Sequence, residues 1–405
     1  LNDMKPGTVT PMTTTHAQKK ALVAGSIGNF IEWYEFAVYG FLATVIAKNF
    51  FTLAGESAIT SLILTYAAFA VAFFFRPLGA VVFGRMGDRI GRKPTLIIVL
   101  VLMTLATAAI GVVPVYASIG VAAPLLITGL RILQGLFAGG EYGGAVSLMT
   151  EFAPRGKRGL YGAWQSLTVA LGLLAGAGVV ALLSAVLSPE ALHDWGWRIP
   201  FFIAIPMGAV ALWLRVHMEE TPSFVHQQAQ AAPPQAASFA STLKAIITGI
   251  GRLMVWSAAG YTYLVIMPTY LQSALHTGFN QALLIAVISN AGFALTIIPS
   301  GMLSDRIGRR TVMVTAAVLL LILALPLLKV LQAESSTLFI KAVVVFIAGG
   351  LVGMLAGPGP AMLAEMFPTR VRYTGLGLAY SLSNAIFSGC AGLIITGLRS
   401  EERRV

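Results

Sequence analysis

Residues Gly84 to Lys93 read GRMGDRIGRK, and residues Gly301 to Arg310 read GMLSDRIGRR. Asp88, Arg89, Ile90, Gly91 and Arg92 recur at one constant offset as Asp305, Arg306, Ile307, Gly308 and Arg309. A compact charged hairpin set between long apolar segments and repeated once implies two homologous halves in one membrane chain. It also makes the hairpin a candidate moving part. A second duplicated set, Glu151, Pro154 and Arg158, returns at a constant offset as Glu365, Pro368 and Arg372.

The composition agrees with a membrane protein. The 405 residues are 57% hydrophobic and 11% charged, and the mean hydropathy is +0.81, so polar residues could not cover the apolar surface in water. The net charge of +11 does not imply a nucleic-acid partner, because the Lys and Arg fall in short clusters between apolar runs rather than on one helix or tail. Cys390 is the single cysteine and lies in an apolar stretch, which excludes an internal disulfide and a thiolate metal cluster.

Spans of about 20 residues fit Ala21 to Ala47, Ala58 to Gly84, Thr95 to Val113, Val121 to Thr150, Leu160 to Leu187 and Trp197 to Leu214. About five more fit Leu253 to Leu271, Gln281 to Leu303, Val312 to Leu331, Leu338 to Met366 and Gly375 to Leu398. The expected organisation is a polar cytoplasmic tail (residues 1–20), a first bundle (21–214), a cytoplasmic linker (215–243) carrying QQAQAAPPQAAS, and a second bundle (244–405). The clusters at Arg85 to Lys93, Arg155 to Arg158, Arg306 to Arg310 and Arg370 to Arg372 share one side if the N-terminus is inside. The same count puts Arg399, Arg403 and Arg404 outside, against that rule, so the expectation is a second bundle truncated after its eleventh span.

Six stretches carry a family likeness: GNFIEWYEFAVYGF (Gly28 to Phe41), FRPLGAVVFGRMGDRIGRK (Phe75 to Lys93), RILQGLFAGGEYGG (Arg131 to Gly144), DWGWRIPFF (Asp194 to Phe202), EETPSF (Glu219 to Phe224) and SDRIGRR. With the duplication they resemble the major facilitator superfamily, and within it the metabolite:proton symporter branch of shikimate, 2-oxoglutarate, citrate and proline/betaine carriers. The resemblance implies an all-α membrane protein of the major facilitator fold, two pseudo-symmetric bundles of six helices. It implies a non-enzymatic, proton-coupled importer of a small organic acid or zwitterion in the cytoplasmic (inner) membrane, working by alternating access. The branch usually has Asp where this chain has Glu35.

Ionisable groups at membrane depth are functional candidates, each needing a partner. Asn29, Glu32, Glu35 and Tyr39 fall within an arc of about 120° on span one, and Arg131, Gln134, Glu141 and Tyr142 within about 100° on span four. The sharp reading makes Glu35 the proton-binding carboxylate and Arg131 its switchable partner, since burial favours the neutral acid and a nearby cation the ionised one. Sugar:proton symporters of the superfamily resemble this arrangement; the plain alternative is a static buried ion pair. Arg76 precedes Pro77, where a helix break would present a cation to a substrate carboxylate; the plain alternative is an Arg that snorkels or caps the broken helix. Glu32 and Glu141 suit a substrate ammonium, a second proton or a structural acceptor. Gln165, Tyr263, Tyr270, Asn290, Tyr380 and Asn384 complete the expected cavity.

Asp88, Arg89, Arg92, Glu151 and Arg158, with Asp305, Arg306, Arg309, Glu365 and Arg372, form the expected cytoplasmic gate. The five histidines lie in tails, linkers or loops without metal-ligand spacing, and no phosphate-binding loop is present, so no metal, cofactor or ATP-driven step is expected. The expected partners are a small-molecule substrate, protons and the bilayer, with no nucleic acid, for a monomeric chain. Two other readings stand beside the importer: a proton-coupled exporter, and a membrane sensor, scaffold or inactive truncated transporter.

Overall fold

The computed structural model describes residues 15–52, 58–229, 239–267, 271, 277–333 and 335–389. The described residues form helices and connecting turns, with no strand. The principal helices are α1 (Thr15–Phe41), α2 (Ala58–Ile90), α3 (Arg92–Val112), α4 (Ala122–Phe152), α5 (Arg158–Val186) and α6 (Ile199–Val216). After a short helix at Pro222–Ala229 come α7 (Phe239–Gly260), α8 (Phe279–Ile307), α9 (Arg309–Gln332), α10 (Leu338–Ala356) and α11 (Arg372–Ser383). Among the described residues eight helices are long and apolar enough to cross a membrane, nine if the bent α1 with Ala43–Phe51 counts as one span. Eleven spans are therefore not all met within them. A helix suits this environment because it pairs its own backbone groups where lipid offers none.

The duplicated hairpin is shorter than its sequence suggests. Residues 84–90 continue α2, Arg92 opens α3, and Gly91 alone makes the turn, with φ of 113°. Gly308 does the same between α8 and α9 with φ of 94°. That backbone region is nearly closed to side chains, so each copy carries glycine there.

Two further expectations change. No break occurs at Pro77, which sits inside the continuous α2, so Arg76 is presented from an unbroken helix. Arg215, expected at the start of the linker, is the buried end of α6. Residues 357–358 make a turn within the span Leu338–Met366, where α10 stops at Ala356 and a short helix restarts at Gly359.

The two halves pack alike. In the first, α2 lies against α4 so closely that a Cβ on Gly139 would collide with the Arg76 carbonyl oxygen. In the second, Gly349 meets the Ser289 carbonyl in the same way between α8 and α10. Small residues let helix backbones approach where lipid offers no hydrophobic drive for association. Between the halves, α2 packs on α11 and α5 on α8, which is the pseudo-twofold pairing. Large apolar side chains on the outer faces, such as Leu321 and Leu325, remain exposed to the surroundings.

Candidate functional site

The polar stripe of α1 turns into the first bundle and is buried throughout, so each group's partner defines its task. Asn29 donates to the Gln165 carbonyl at 3.0 Å and to Thr168 Oγ1 at 2.8 Å, and Gln165 Nε2 donates back to Asn29 Oδ1 at 3.2 Å. These two residues join α1 to α5. Glu32 pairs with Arg76 across α1 and α2, Oε1 to Nη2, at 2.7 Å.

Glu35 and Arg131 do not form a direct ion pair. Gln134 stands between them: Arg131 Nη1 donates to its Oε1 at 2.7 Å, and its Nε2 donates to Glu35 Oε2 at 3.2 Å and to Thr107 Oγ1 at 2.8 Å. Both buried guanidiniums rest on aromatic rings. Arg131 lies 4.4 Å from the centre of Tyr39 and 4.7 Å from Phe36, while Arg76 lies 4.7 Å from Phe36 and 4.8 Å from Phe73. Such contacts keep a desolvated cation favourable without fixing it to one carboxylate.

Beside the Glu32–Arg76 pair, the halves meet through two tyrosines. Tyr142 of α4 stacks on Tyr380 of α11 with centroids 3.4 Å apart and planes 5° from parallel, and Trp256 of α7 lies 5.8 Å from Tyr380. Tyr380 interacts electrostatically with both Arg76 and Glu32, so acid, base and aromatic wall share one place. Several buried polar atoms around it have no hydrogen-bond partner among the described residues: Glu32 Oε2, Arg76 Nε, Arg131 Nε and Nη2, and Tyr142 Oη. Buried polar atoms are ordinarily paired, so these unpaired atoms make the cluster a candidate for receiving a polar solute.

Other expected cavity residues are held by partners of their own, although Asn384 also hydrogen-bonds Tyr380 and Glu141 interacts electrostatically with Glu32. Glu141 is held by Arg215, Nη1 to Oε2 at 2.9 Å and Nη2 to Oε1, while Arg215 also donates to the carbonyls of Ala24 and Leu96. Among the three readings of Glu141, these contacts are those of a structural acceptor. Asn290 donates to the Ala286 carbonyl of its own helix, Tyr263 packs in the core, and Asn384 accepts from Ser388. Tyr270 and Cys390 fall outside the described residues.

The duplicated motif is a pair of cross-half latches. Asp88 accepts from the Tyr373 and Thr374 backbone N–H groups at 3.3 and 3.1 Å and from Thr374 Oγ1 at 2.7 Å, which sets it on the first turn of α11 in the other half. Asp305 accepts from the Gly159 and Leu160 N–H groups at 2.8 and 2.9 Å, on the first turn of α5. A carboxylate there meets unpaired N–H groups and the positive end of the helix dipole.

Arg92 reinforces the first latch, donating to the Thr369 carbonyl at 2.8 Å and pairing with Glu151 at 3.4 Å. Glu151 also receives Arg372 at 3.0 Å, and Glu365 receives Arg309 at 3.1 Å. Symmetry ends at Arg158, which is exposed and makes no ion pair among the described residues; Arg89 and Arg306 are exposed as well. Glu220 and Phe224, inside a quoted motif but given no task by sequence, clamp the hairpin: Glu220 accepts from the Lys93 N–H at 3.1 Å and the Phe224 ring covers Arg92. On the opposite side, Tyr261 packs against Phe69 and Phe73 from the other half, closing the cluster there.

With this arrangement in view, comparison with known proteins is decisive. Residues 20–244 match the family described as "Sugar (and other) transporter", and residues 249–400 match the "Major Facilitator Superfamily". The chain belongs to the major facilitator superfamily. It is 36% identical over 396 residues to the proline/betaine transporter of Escherichia coli (strain K12), covering 94% of this chain and 78% of that one. It is 35% identical to the citrate-proton symporter of Klebsiella pneumoniae, covering 95% of this chain and 86% of that one. The proton:xylose symporter XylE, solved with 6-bromo-6-deoxy-D-glucose, superposes with a TM-score of 0.77 at 17% identity over 96% of this chain and 90% of that one, a likeness of fold. The chain is thus a multi-pass membrane protein of a transporter family.

Proposed function

We propose that this superfamily member imports a small zwitterionic organic solute together with a proton. The observation carrying the reading is the buried Glu32–Arg76 pair beside the stacked Tyr142 and Tyr380. A zwitterion splits such a pair without net charge transfer: its carboxylate takes the Arg76 fork, its cationic end takes Glu32 and the aromatic faces. A polyanion would instead face the uncompensated Glu32. The proline/betaine and citrate-proton relatives support proton symport of small organic solutes, and the former favours the zwitterion.

Glu35 carries the proton in this reading, and Gln134 relays its ionisation to Arg131. The two bundles rock about the central site, with the Asp88 and Asp305 latches closing the cytoplasmic mouth. The N-terminus is then cytoplasmic, the membrane is the inner one, residues 215–243 are the cytoplasmic linker joining the halves, and one chain suffices because both walls of the site lie within it. One entering proton supplies about 2.3 kcal/mol per 100 mV of membrane potential.

A second reading, an organic acid, draws support from Arg131, whose Nε and Nη2 are unpaired. Competition in proteoliposomes separates the two. Unlabelled betaine and proline are expected to block uptake of labelled betaine where citrate does not, and Glu32→Gln is expected to lose at least tenfold in betaine affinity. Blockage by citrate alone would replace the zwitterion with the acid.

A further inference from the structure

A groove of about 270 Å³ opens at the end of the molecule that carries the duplicated motif, beside the Asp88 latch. Arg85 and Arg89 line it from α2, Arg370 from the turn before α11, and Thr242 and Ile246 from α7. Its walls therefore come from both halves. None of the three arginines forms an ion pair among the described residues, although Arg85 and Arg89 stand one helical turn apart, where like charges repel.

Asp88, the single acid in the lining, is already engaged by Tyr373, Thr374 and Arg92. Three cations against one carboxylate leave the lining at a formal +2. The linker, residues 215–243, carries two acids, and neither lines the groove: Glu220 is engaged by the Lys93 and Thr221 N–H groups, and Glu219 is exposed. An orientation signal needs basic residues only on the correct side of the membrane; it does not need guanidiniums from two halves turned into one concavity. Convergent guanidinium forks match the oxygens of a phosphate group, and a dianion matches the charge.

We propose that this groove binds a phosphate group, which bridges α2 to the Arg370 turn and holds the cytoplasmic side closed. The group belongs either to an acidic phospholipid of the adjacent leaflet or to a soluble phosphate compound. When the mouth opens, α2 and α11 part and the three arginines separate. The ligand thus binds the closed state better and shifts the population toward it by that difference in affinity. The groove lies at the gate and not at the Glu32–Arg76 cluster, so its ligand holds or fails independently of the substrate assigned above.

Hydrogen exchange on the purified full chain in neutral detergent reads this directly, because the Tyr373 and Thr374 amides are held by Asp88 across the gate. The probes are inorganic phosphate, with chloride at matched ionic strength, and short-chain phosphatidic acid, with phosphatidylcholine as control. Added phosphate or phosphatidic acid is expected to protect segment 369–376. Arg370→Gln and Arg85→Gln are each expected to need roughly tenfold more ligand, the loss of one charge-assisted contact. Both side chains lie at the surface or half-buried, and Arg85→Gln carries the test alone if Arg370→Gln fails to fold. Protection by inorganic phosphate identifies a soluble ligand; protection by phosphatidic acid alone identifies lipid. Protection no greater than in the chloride and phosphatidylcholine controls, or variants that titrate like the parent, would overturn the proposal.

Discussion

At the scale of single residues, the buried charges divide into locks and moving parts. Glu141 and Arg215 are a lock: both are fully buried, joined at two points, and Arg215 is tied to two backbone carbonyls besides. Removing one member strands the other, at about 3–5 kcal/mol. Glu141→Ala is therefore expected to lower the thermal unfolding midpoint strongly, while Glu141→Met combined with Arg215→Met recovers most of it and retains substrate binding. Glu35 and Arg131 behave differently, because Gln134's amide stands between them, and their other contacts, Thr107 for Glu35 and the Tyr39 and Phe36 rings for Arg131, supply no full counter-charge.

Sequence makes that distinction only in part. Helical periodicity brings Glu32, Glu35, Arg131 and Gln134 to one place, since a polar stripe on an apolar helix has nowhere else to point. It leaves Arg215 in the linker because an apolar window ends at Leu214, and hydropathy holds no sign that the next cation turns inward to Glu141. The gate shows the same limit: pairing rules match side-chain charges, whereas Asp88 and Asp305 chiefly engage backbone N–H groups, which no residue letter displays.

At the scale of elements, each copy of the hairpin is one glycine between two long helices. The economy of that turn keeps the ends of α2 and α3, and of α8 and α9, rigidly coupled, so a latch is moved by its whole helix pair. Substituting alanine forces a side chain into backbone space that nearly excludes it, at about 1–3 kcal/mol. Gly308 faces open space, but a Cβ on Gly91 would also strike the Glu220 carboxylate and crowd Phe224. Gly91→Ala is accordingly expected to lose more thermal stability than Gly308→Ala. Equal losses would show that Glu220 and Phe224 do not clamp the hairpin.

At the scale of the whole molecule, duplication becomes mechanism. Each half extends one carboxylate to a helix start in the other, at 2.7–3.3 Å for Asp88 and 2.8–2.9 Å for Asp305, so the proposed rocking would release both together. The central cluster lies between those latches and the Tyr261 contact, sealed from both faces and built mainly by the first half. Repeats and charge placement made this architecture legible from sequence. The extra grip of Glu151 on both Arg92 and Arg372 was not, because Glu365 has the same sequence context and, among the described residues, pairs only with Arg309.

The central claim is that Glu35 couples a proton to this motion. Its most direct test is uptake of labelled betaine into proteoliposomes under an imposed inward proton gradient, comparing the parent chain with Glu35→Gln. The parent is expected to concentrate the solute above its external level, and Glu35→Gln to exchange it across the membrane without concentrating it. Gradient-driven accumulation that survives in Glu35→Gln would contradict the account.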